Sequence, residues 1–535
     1  MNGAQALFKA LTDAGVTTCF ANPGTSEMQL VYEIGLAANV RPILCLQEDV
    51  VTGAADGYAR MKGSPAVTLL HVGSGFANGI AMLHNAGRAN TPVINIVGAN
   101  ASYHQPNYPE HELINGRVID LAHVVSHWAR EARSASELGE LGVEATVLAK
   151  AGKICTIVAP TNFHWEEAAP PPIPPTALHR PMASPDAITH AENMLANGKK
   201  TGLVLGNLAL RGDLLEIAGR IAAKTNAKLL SETFPSFSLA RGEGRPIVEI
   251  IPYFLETGLE FLKDFEQLIF VGALPPVVTF AYRNKPTLKS EPRCALFTMA
   301  SADQDLLAAL ESLAKATGSA TTETMRQARQ AATTPPTGEL TAEAIGQTLC
   351  ALMPDNSILV DEAATNGPQI FAATKGARAH DYLSPVSGGA IGGGFPMALG
   401  AAIACPDRKI VLVQADGSGM YTVQALWSMA REKADIVAIV LRNDAYAVLG
   451  LEMARVREGD LNPKMESMFD LANPALDWVN IASGLGVSAS HAQTAEEFYR
   501  NFASALEVKG PTLIECQVAI PKALAVFAEF INKTR

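Results

Sequence analysis

Apolar and polar positions along residues 409–446 follow an order that predicts a strand, a polar turn, a helix, a second strand and a second polar turn. The first apolar run spans 410–413 and leads to Asp416, and the second spans 436–441 and leads to Asn443. Two buried strands joined by a helix predict a parallel βαβ unit. Both polar turns of such a unit lie at the carboxyl edge of the sheet, where ligands bind.

These two turns carry the oxygen ligands that a hard cation prefers. Asp416 and Asn443 follow successive strands, so we expect them on adjacent loops. A carboxylate and an amide oxygen suit Mg²⁺, which usually also takes phosphate oxygens. Gly417 and Ser418, at the start of the helix, would offer backbone amides to a phosphate. The segment predicts a site for magnesium and a phosphorylated ligand; an ordinary buried βαβ unit with an unrelated Asp and Asn is the alternative.

The rest of the chain repeats this alternation of helical and strand-like segments, which predicts an α/β protein with three doubly wound parallel-sheet domains. The predicted domains are residues 1–165, 187–318 and 339–535. Seven prolines within 166–186 predict an extended linker between the first two domains. A second polar connection, 321–338, precedes the third domain. A length of 535 residues fits three domains of ordinary size.

Polar side chains follow three strands of the first predicted domain. Thr25 lies in the turn after one strand, and Glu48 and His71 come directly after the next two. Because the carboxyl ends of parallel strands meet at one edge, we expect all three residues on the same functional rim.

Composition narrows the class of partner. A formal net charge of −11 argues against nucleic acid or an anionic membrane surface. No apolar run is long enough to predict a membrane span, and the amino terminus does not resemble a signal peptide. Seven scattered cysteines without paired spacing indicate buried thiols in a reducing compartment. We therefore expect a cytoplasmic protein that acts on a small molecule.

Two stretches resemble the signatures of a known family. Residues 409–446 resemble the thiamine diphosphate signature of Gly-Asp-Gly and a later asparagine, with Ala415 where the family usually has glycine. Residues 44–60, LCLQEDVVTGAADGYAR, are similar to the second signature of the decarboxylase and acetolactate synthase group. The resemblance extends over the whole chain. It implies a first domain that binds the aminopyrimidine, a central domain that is structural or holds a nucleotide, and a third domain that binds the diphosphate.

The resemblance also implies roles for single residues. Magnesium would be held by Asp416, Asn443 and the backbone carbonyl of Ala445. Glu48 would hydrogen-bond the pyrimidine ring and so activate the cofactor, and Ile391, in a glycine-rich stretch, would force the cofactor into its bent shape. The other implied cofactor contacts are Thr365, Asn366, Gly417, Ser418 and Tyr446.

Within the group, the first domain most resembles benzoylformate decarboxylase, which has a histidine at the strand end where His71 stands and an active-site serine where Thr25 stands. Both residues are therefore implied as catalytic. That family also uses a histidine from its central domain, whereas this chain has none between His190 and His380. The substitutes that the sequence offers are Phe280, Ala281 and Tyr282 in the central domain, and His104 and His111 on a polar loop of the first domain.

The leading interpretation is non-oxidative decarboxylation of a 2-oxo acid with thiamine diphosphate and Mg²⁺. A carboligase resembling acetolactate synthase, a lyase acting on 2-hydroxyacyl-CoA and a non-catalytic cofactor-binding protein are alternatives. A nicotinamide dehydrogenase is disfavoured because residues 388–394 lack the G-x-G-x-x-G spacing. Acetolactate synthases hold flavin in the central domain, but no motif supports FAD here. The resemblance further implies a homodimer or homotetramer with active sites between chains.

Overall fold

The structure is a computed structural model that describes residues 1–107, 109–175, 179–330, 334–456 and 462–519. Its strands form three sheets of six, five and seven strands. Parallel pairing dominates all three, which confirms the predicted α/β class with three parallel sheets. No helix in these ranges has the length and apolar character that crossing a lipid bilayer requires.

The first sheet has the strand order β2-β1-β3-β4-β6-β5. Strands β3, β4 and β6 are buried along their whole length because helices cover both faces. Its strands are β1 (Thr18–Asn22), β2 (Arg41–Leu44), β3 (Ala66–Leu70), β4 (Val93–Ala99), β5 (Trp128–Glu131) and β6 (Ile154–Pro160). Its helices are α1 (Gly3–Asp13), α2 (Met28–Leu36), α3 (Glu48–Lys62), α4 (Val72–Asn78), α5 (Ile80–Arg88), α6 (Val118–Val125), α7 (Ala135–Lys150) and α8 (Thr161–Trp165).

The second sheet has the order β10-β8-β7-β11-β12. Strand β9 belongs to this part of the chain but pairs antiparallel with a strand of the third sheet. The strands are β7 (Thr201–Leu205), β8 (Lys228–Ser231), β9 (Leu239–Arg241), β10 (Glu249–Ile250), β11 (Gln267–Val271) and β12 (Ala295–Ala300). The helices are α9 (Pro185–Ala196), α10 (Gly212–Thr225), α11 (Leu255–Leu262) and α12 (Leu306–Ala316).

The third sheet has the order β17-β18-β16-β15-β13-β14-β9. Strands β15 and β16 are parallel neighbours, so the βαβ unit predicted at 409–446 is confirmed. The strands are β13 (Ser357–Glu362), β14 (His380–Leu383), β15 (Ile410–Ala415), β16 (Ile436–Arg442), β17 (Ser488–Ala492) and β18 (Thr512–Gln517). The helices are α13 (Ala342–Leu352), α14 (Gly367–Ala373), α15 (Gly394–Ala404), α16 (Asp416–Gly419), α17 (Ala425–Glu432), α18 (Ala447–Val456), α19 (Pro463–Glu466), α20 (Trp478–Gly484) and α21 (Ala495–Glu507).

Helices α3 and α15 join the first sheet to the third. Small residues let the two backbones approach closely: a Cβ on Gly57 would lie 2.2 Å from the Met397 carbonyl oxygen, and one on Gly400 would lie 1.9 Å from that of Ala54. Helix α3 begins at Glu48, where the Gln47 side chain accepts a hydrogen bond from the Val50 N–H. The close packing therefore fixes the start of α3 relative to the third domain.

A buried arginine ties all three parts of the chain together. Arg60 of α3 is fully buried and forms an ion pair with Asp56, with two N–O distances of 2.7 Å. Its guanidinium also donates to the carbonyl oxygens of Ser384 (3.0 Å) and Phe237 (3.4 Å), which belong to the third and central parts of the chain. Because removing one member of a buried pair leaves an uncompensated charge, Asp56 and Arg60 have an architectural role.

Candidate active site

Glu48 and His71 lie side by side at the carboxyl edge of the first sheet. Glu48 starts α3 after β2, and His71 lies between β3 and α4. Both side chains pack against Gly75, where a Cβ would lie 2.9 Å from Glu48 Oε1 and 3.2 Å from the Cβ of His71. Glu48 Oε2 also accepts a hydrogen bond from Asn78 Nδ2 at 3.2 Å. A glycine at position 75 therefore leaves room for a carboxyl group and an imidazole to share one rim.

A second carboxylate, Glu27, holds His71 from behind. Glu27 ends a 3₁₀ turn, Thr25–Glu27, and is fully buried. Its Oε2 lies 2.7 Å from His71 Nδ1 and accepts the Gly24 N–H at 2.9 Å. Its Oε1 is buried without a hydrogen-bond partner among the described residues, and a Cβ on Gly98 would come within 1.7 Å of it. The pair fixes the imidazole through Nδ1 and leaves Nε2 to the site.

Sequence reasoning missed Glu27 as a functional residue. The turn that contains it was singled out for Thr25, whose side chain is exposed at the start of the same 3₁₀ turn. An acidic residue in a turn that follows a strand at the binding edge is the available signal, but a lone glutamate does not reveal that it is buried.

The loop histidines have different positions. The rings of His111 and His71 have centroids 5.1 Å apart and planes 73° apart, so the edge of one ring meets the face of the other. Leu113 packs over Gly73 of α4 and holds this part of the loop against the rim. His104 is exposed, and its N–H donates to the Ala101 carbonyl. Of the two predicted substitutes on this loop, the structure brings His111 to His71.

Asp416 organises the corresponding edge of the third sheet. The carboxylate is buried and accepts backbone N–H groups from Gly417 at 2.8 Å, Asn443 at 3.0 Å and Asp444 at 2.8 Å. Burial raises the pKa of Asp416, and these three hydrogen bonds oppose the shift. The loops that carry Asp416 and Asn443 are therefore adjacent, as the strand order predicts.

The next residues after Asn443 fold over Asp416. Asn443 Oδ1 accepts the Ala445 N–H at 3.1 Å. The Tyr446 ring covers Gly417, where a Cβ would meet Tyr446 Cε1 at 2.5 Å, so position 417 admits only glycine without rearrangement. A carboxylate and an amide oxygen thus lie on adjacent loops, and both are oxygen donors of the kind that magnesium prefers.

Glu362, at the end of β13, holds the glycine-rich loop that presents Ile391. The Glu362 carboxylate is buried and accepts N–H groups from Gly392 at 2.5 Å and Gly394 at 2.7 Å. It also accepts from Gln414 Nε2 at 2.9 Å, and the same amide nitrogen lies 2.7 Å from Ser418 Oγ. Burial raises the pKa of Glu362. One buried acid therefore links the loop of Ile391 to the turn of Asp416, and sequence reasoning did not assign it a role.

Other predicted cofactor contacts lie on the same edge. Ile391 is 38% exposed on the loop, and the residues from Gly392 onward are buried. Asn366, after β13, is 1% exposed, and neither atom of its amide group has a hydrogen-bond partner among the described residues. Thr365 precedes it and is half-buried. Unsatisfied buried amide groups are costly, so a ligand that bonds Asn366 fits this edge.

Comparison of the sequence with known proteins identifies the family to which this chain belongs. Residues 1–119 match the thiamine pyrophosphate enzyme N-terminal TPP binding domain, and residues 368–516 match the corresponding C-terminal TPP binding domain. A Mycobacterium tuberculosis protein, named provisionally as the acetolactate synthase large subunit IlvX, is 39% identical over 97% of this chain and 99% of its own length. The chain belongs to the thiamine pyrophosphate enzymes.

Other relatives of this thiamine pyrophosphate enzyme include decarboxylases. Benzoylformate decarboxylase from Pseudomonas aeruginosa is 27% identical over 96% of this chain and 98% of its own length. The structure of a thiamine diphosphate-dependent 4-hydroxybenzoylformate decarboxylase from Rhodococcus jostii superimposes with a TM-score of 0.83 at 24% identity, covering 98% of this chain and all of that one. The three-domain fold of the family is thereby confirmed.

The two edges of this thiamine pyrophosphate enzyme fit the two ends of the cofactor. The third-domain edge offers oxygen ligands for a cation and buried amide groups for a diphosphate, through Asp416, Asn443 and Asn366. The first-domain edge offers carboxyl and imidazole groups, through Glu48 and His71. The first set is suited to binding and the second to proton transfer.

Proposed function

We propose that this enzyme catalyses the non-oxidative decarboxylation of a 2-oxo acid to an aldehyde, with thiamine diphosphate and Mg²⁺ as cofactors. The observation that carries the proposal is the Glu27–His71 pair beside Glu48. Decarboxylation to an aldehyde requires a proton at the carbon that loses carbon dioxide, and a histidine held by a carboxylate can supply it near neutral pH.

Each residue of the site has a distinct part in the proposal. When bound, thiamine diphosphate supplies a carbon nucleophile and takes up the electron pair that decarboxylation releases. Glu48 would hydrogen-bond the aminopyrimidine of the bound cofactor and exchange a proton with it. Thr25, whose side chain is exposed on the rim, binds the substrate carboxylate by hydrogen bonding. His71 delivers the proton to the product carbon.

The third-domain residues hold the cofactor in this proposal. Asp416, Asn443 and the carbonyl of Ala445 would coordinate Mg²⁺, and Ile391 would support the bent cofactor from its exposed position on the loop. The support for the diphosphate contacts is the buried and unpartnered amide of Asn366, together with the close packing of Tyr446 on Gly417. Thr365, Gly417 and Ser418 complete the same edge.

A carboligase is the second candidate, because the relative that is 39% identical carries an acetolactate synthase name. The two reactions differ in where the consumed proton ends: on carbon in an aldehyde, and on oxygen in the hydroxyl of an acetohydroxy acid. A carboligase must exclude a proton donor from the carbon, whereas His71 stands beside Glu48 on the rim. This contact favours the decarboxylase.

The experiment is a product assay with a panel of aliphatic and aromatic 2-oxo acids, measuring carbon dioxide, aldehyde and acyloin together. We expect aldehyde in a one-to-one ratio to carbon dioxide. Glu48→Gln should lower turnover by about 100-fold or more while cofactor binding, measured by calorimetry, stays within a few-fold. Acyloin or acetohydroxy acid as the sole product would refute the decarboxylase assignment, and unchanged turnover in Glu48→Gln would refute the role of Glu48.

A further inference from the structure

We propose that His111 is a second proton-transfer residue, which completes a relay from solvent through His111 to His71, with Glu27 as the positioning residue behind it. The inference rests on the proposed function, because it assigns the group that resupplies the proton which decarboxylation consumes. The loop that carries His111 thereby replaces the central-domain histidine that this chain lacks.

The proton balance requires such a group. Conversion of a 2-oxo acid anion and one proton into an aldehyde and carbon dioxide breaks one carbon–carbon bond and forms one carbon–hydrogen bond. His71 can give one proton to that carbon, and it must then regain one from water. The His71 side chain is only 19% exposed, and its Nδ1 is engaged by Glu27. A proton must therefore reach it through a neighbour or a narrow opening.

His111 is the neighbour that the structure supplies. Its ring contacts that of His71 at 5.1 Å, and the residue itself is exposed. The two residues that follow it are held in place: Asn100 Nδ2 donates to Glu112 Oε1 at 2.9 Å, and Leu113 packs over Gly73. The contact places an exposed imidazole, which can exchange protons with water, against the less exposed ring of His71.

Glu27 determines which nitrogen of the His71 ring is free to exchange protons. Because its buried carboxylate engages Nδ1 of His71, the ring exchanges protons at its other nitrogen. The Gly24 N–H bonded to the same oxygen and the glycine at position 98 keep the carboxylate in place. The charged or titratable groups that face His71 are Glu27 on the 3₁₀ turn, Glu48 of α3 across Gly75, and His111 on the loop.

Tyr282, a candidate substitute from the central domain, has other bonding partners. The Tyr282 hydroxyl donates to Glu452 of α18 at 3.0 Å, and its ring lies 4.3 Å from the Arg455 guanidinium. Arg455 in turn forms two bonds with Glu256 of α11, at 2.6 and 2.9 Å. Tyr282 therefore belongs to a cluster that joins the central domain to α18, and the segment that could have replaced a catalytic histidine instead has a structural task.

The test compares His111→Asn with His104→Asn, a matched change at an exposed histidine of the same loop. We expect His111→Asn to lower kcat on the order of 100-fold and His104→Asn to stay within two-fold of the wild type. Imidazole added to a His111→Ala variant should restore part of the lost rate in proportion to its concentration. A residue with a merely structural role would not respond to imidazole.

A second readout does not depend on turnover. In the cofactor-free protein, exchange of the His71 ring N–H with solvent, measured by NMR at a single pH, should slow in His111→Asn and not in His104→Asn. Equal exchange rates of His71 in both variants, or a lost rate that imidazole leaves unchanged, would overturn the relay. If the wild type forms no aldehyde while the exchange rate of His71 still depends on His111, the proposed function fails and the coupling of the pair stands.

Discussion

Asp416 and Glu362 at the third-domain edge accept hydrogen bonds from backbone N–H groups and one side-chain amide, whereas Glu27 at the first-domain edge also accepts one from the His71 imidazole, besides the Gly24 N–H. All three carboxylates are buried. Backbone amides do not titrate near neutral pH, so the hydrogen bonds to the third-domain acids fix geometry: they orient Asp416 as a proposed metal ligand and make Glu362 the anchor of the Ile391 loop. An imidazole does titrate near neutral pH, so the acid beside it can influence proton transfer. The bonding partner of a buried acid, more than its burial, therefore indicates its task.

The two edges should respond differently to substitution. Changes at the third-domain edge should weaken cofactor binding and leave the pH dependence of turnover unchanged. Changes at the first-domain edge should leave cofactor affinity nearly intact and alter turnover. The predictions below test that division.

The largest effect is expected for Asp416→Ala. The change removes a proposed metal ligand and leaves the N–H groups of Gly417, Asn443 and Asp444 without their acceptor. Cofactor affinity in the presence of Mg²⁺ should fall on the order of 100-fold or more. Calorimetry or the fluorescence of Trp478, which packs beside Gly419, would measure it.

Asp407→Ala is the matched control, because Asp407 is exposed in the turn before β15. Its cofactor affinity should equal that of the wild type. If Asp416→Ala bound the cofactor as tightly as this control does, the third-domain edge would not be the diphosphate site.

A smaller effect is expected for Glu362→Gln. One acceptor oxygen becomes an NH₂ group that faces the N–H of Gly392 or Gly394, or the amide of Gln414. An unsatisfied pair of donors in a buried site costs about 1–3 kcal/mol. We expect cofactor affinity to fall about 10-fold, because 1.4 kcal/mol corresponds to a factor of ten. Glu343→Gln, on the exposed side of α13, should leave it unchanged. An altered pH profile of kcat with unaltered cofactor affinity would mean that Glu362 takes part in the reaction. It would contradict the division of roles between the two edges.

Sequence patterns predicted the central strands well. The bounds of β3, β8 and β11 agree with the apolar runs at 66–70, 228–231 and 267–271. Each of these strands is buried over most of its length, so most of its buried side chains are apolar. Strand β17 lies at a sheet edge with mostly accessible side chains, and its sequence gives no apolar run.

The candidate site was predictable only where a residue follows a recognisable strand or motif. Glu48, His71, Asp416 and Asn443 do so. Glu27 and Glu362 also lie at strand ends, but their roles depend on partners that lie 44 and 30 residues away in sequence. In a chain with 53 acidic residues, a single glutamate carries no sign of what it will bond. Such long-range contacts exist only after the sheets have formed.

The smallest effect is expected at Asp49, which lies next to Glu48 on the first-domain edge but accepts a backbone N–H, from Met82 at 3.2 Å. Because its partner is a backbone N–H group, Asp49 resembles Asp416 and Glu362 of the third domain. Burial is the main cause that raises its pKa to about 6; the charge of Glu48 adds to the shift, and the N–H groups of Met82 and Ala81 only partly offset it. Asp49→Asn should therefore leave the pH profile of kcat unchanged. A shifted profile would show that an acid takes part in proton transfer because of its position on the rim and not because of its bonding partner.

The sign of the stability effect follows from the raised pKa. The folded protein binds a proton at Asp49 up to about pH 6, whereas the unfolded chain releases it near 3.8, so ionisation at pH 8 destabilises the fold. Asp49→Asn removes a penalty of up to about 3 kcal/mol at pH 8 and should raise the melting temperature by about 1 °C per kcal/mol in a chain of this length. The gain should be smaller at pH 5, where Asp49 is already protonated. Asp355→Asn, at an exposed turn, should show no difference between the two pH values, and equal shifts in both variants would contradict the burial of Asp49.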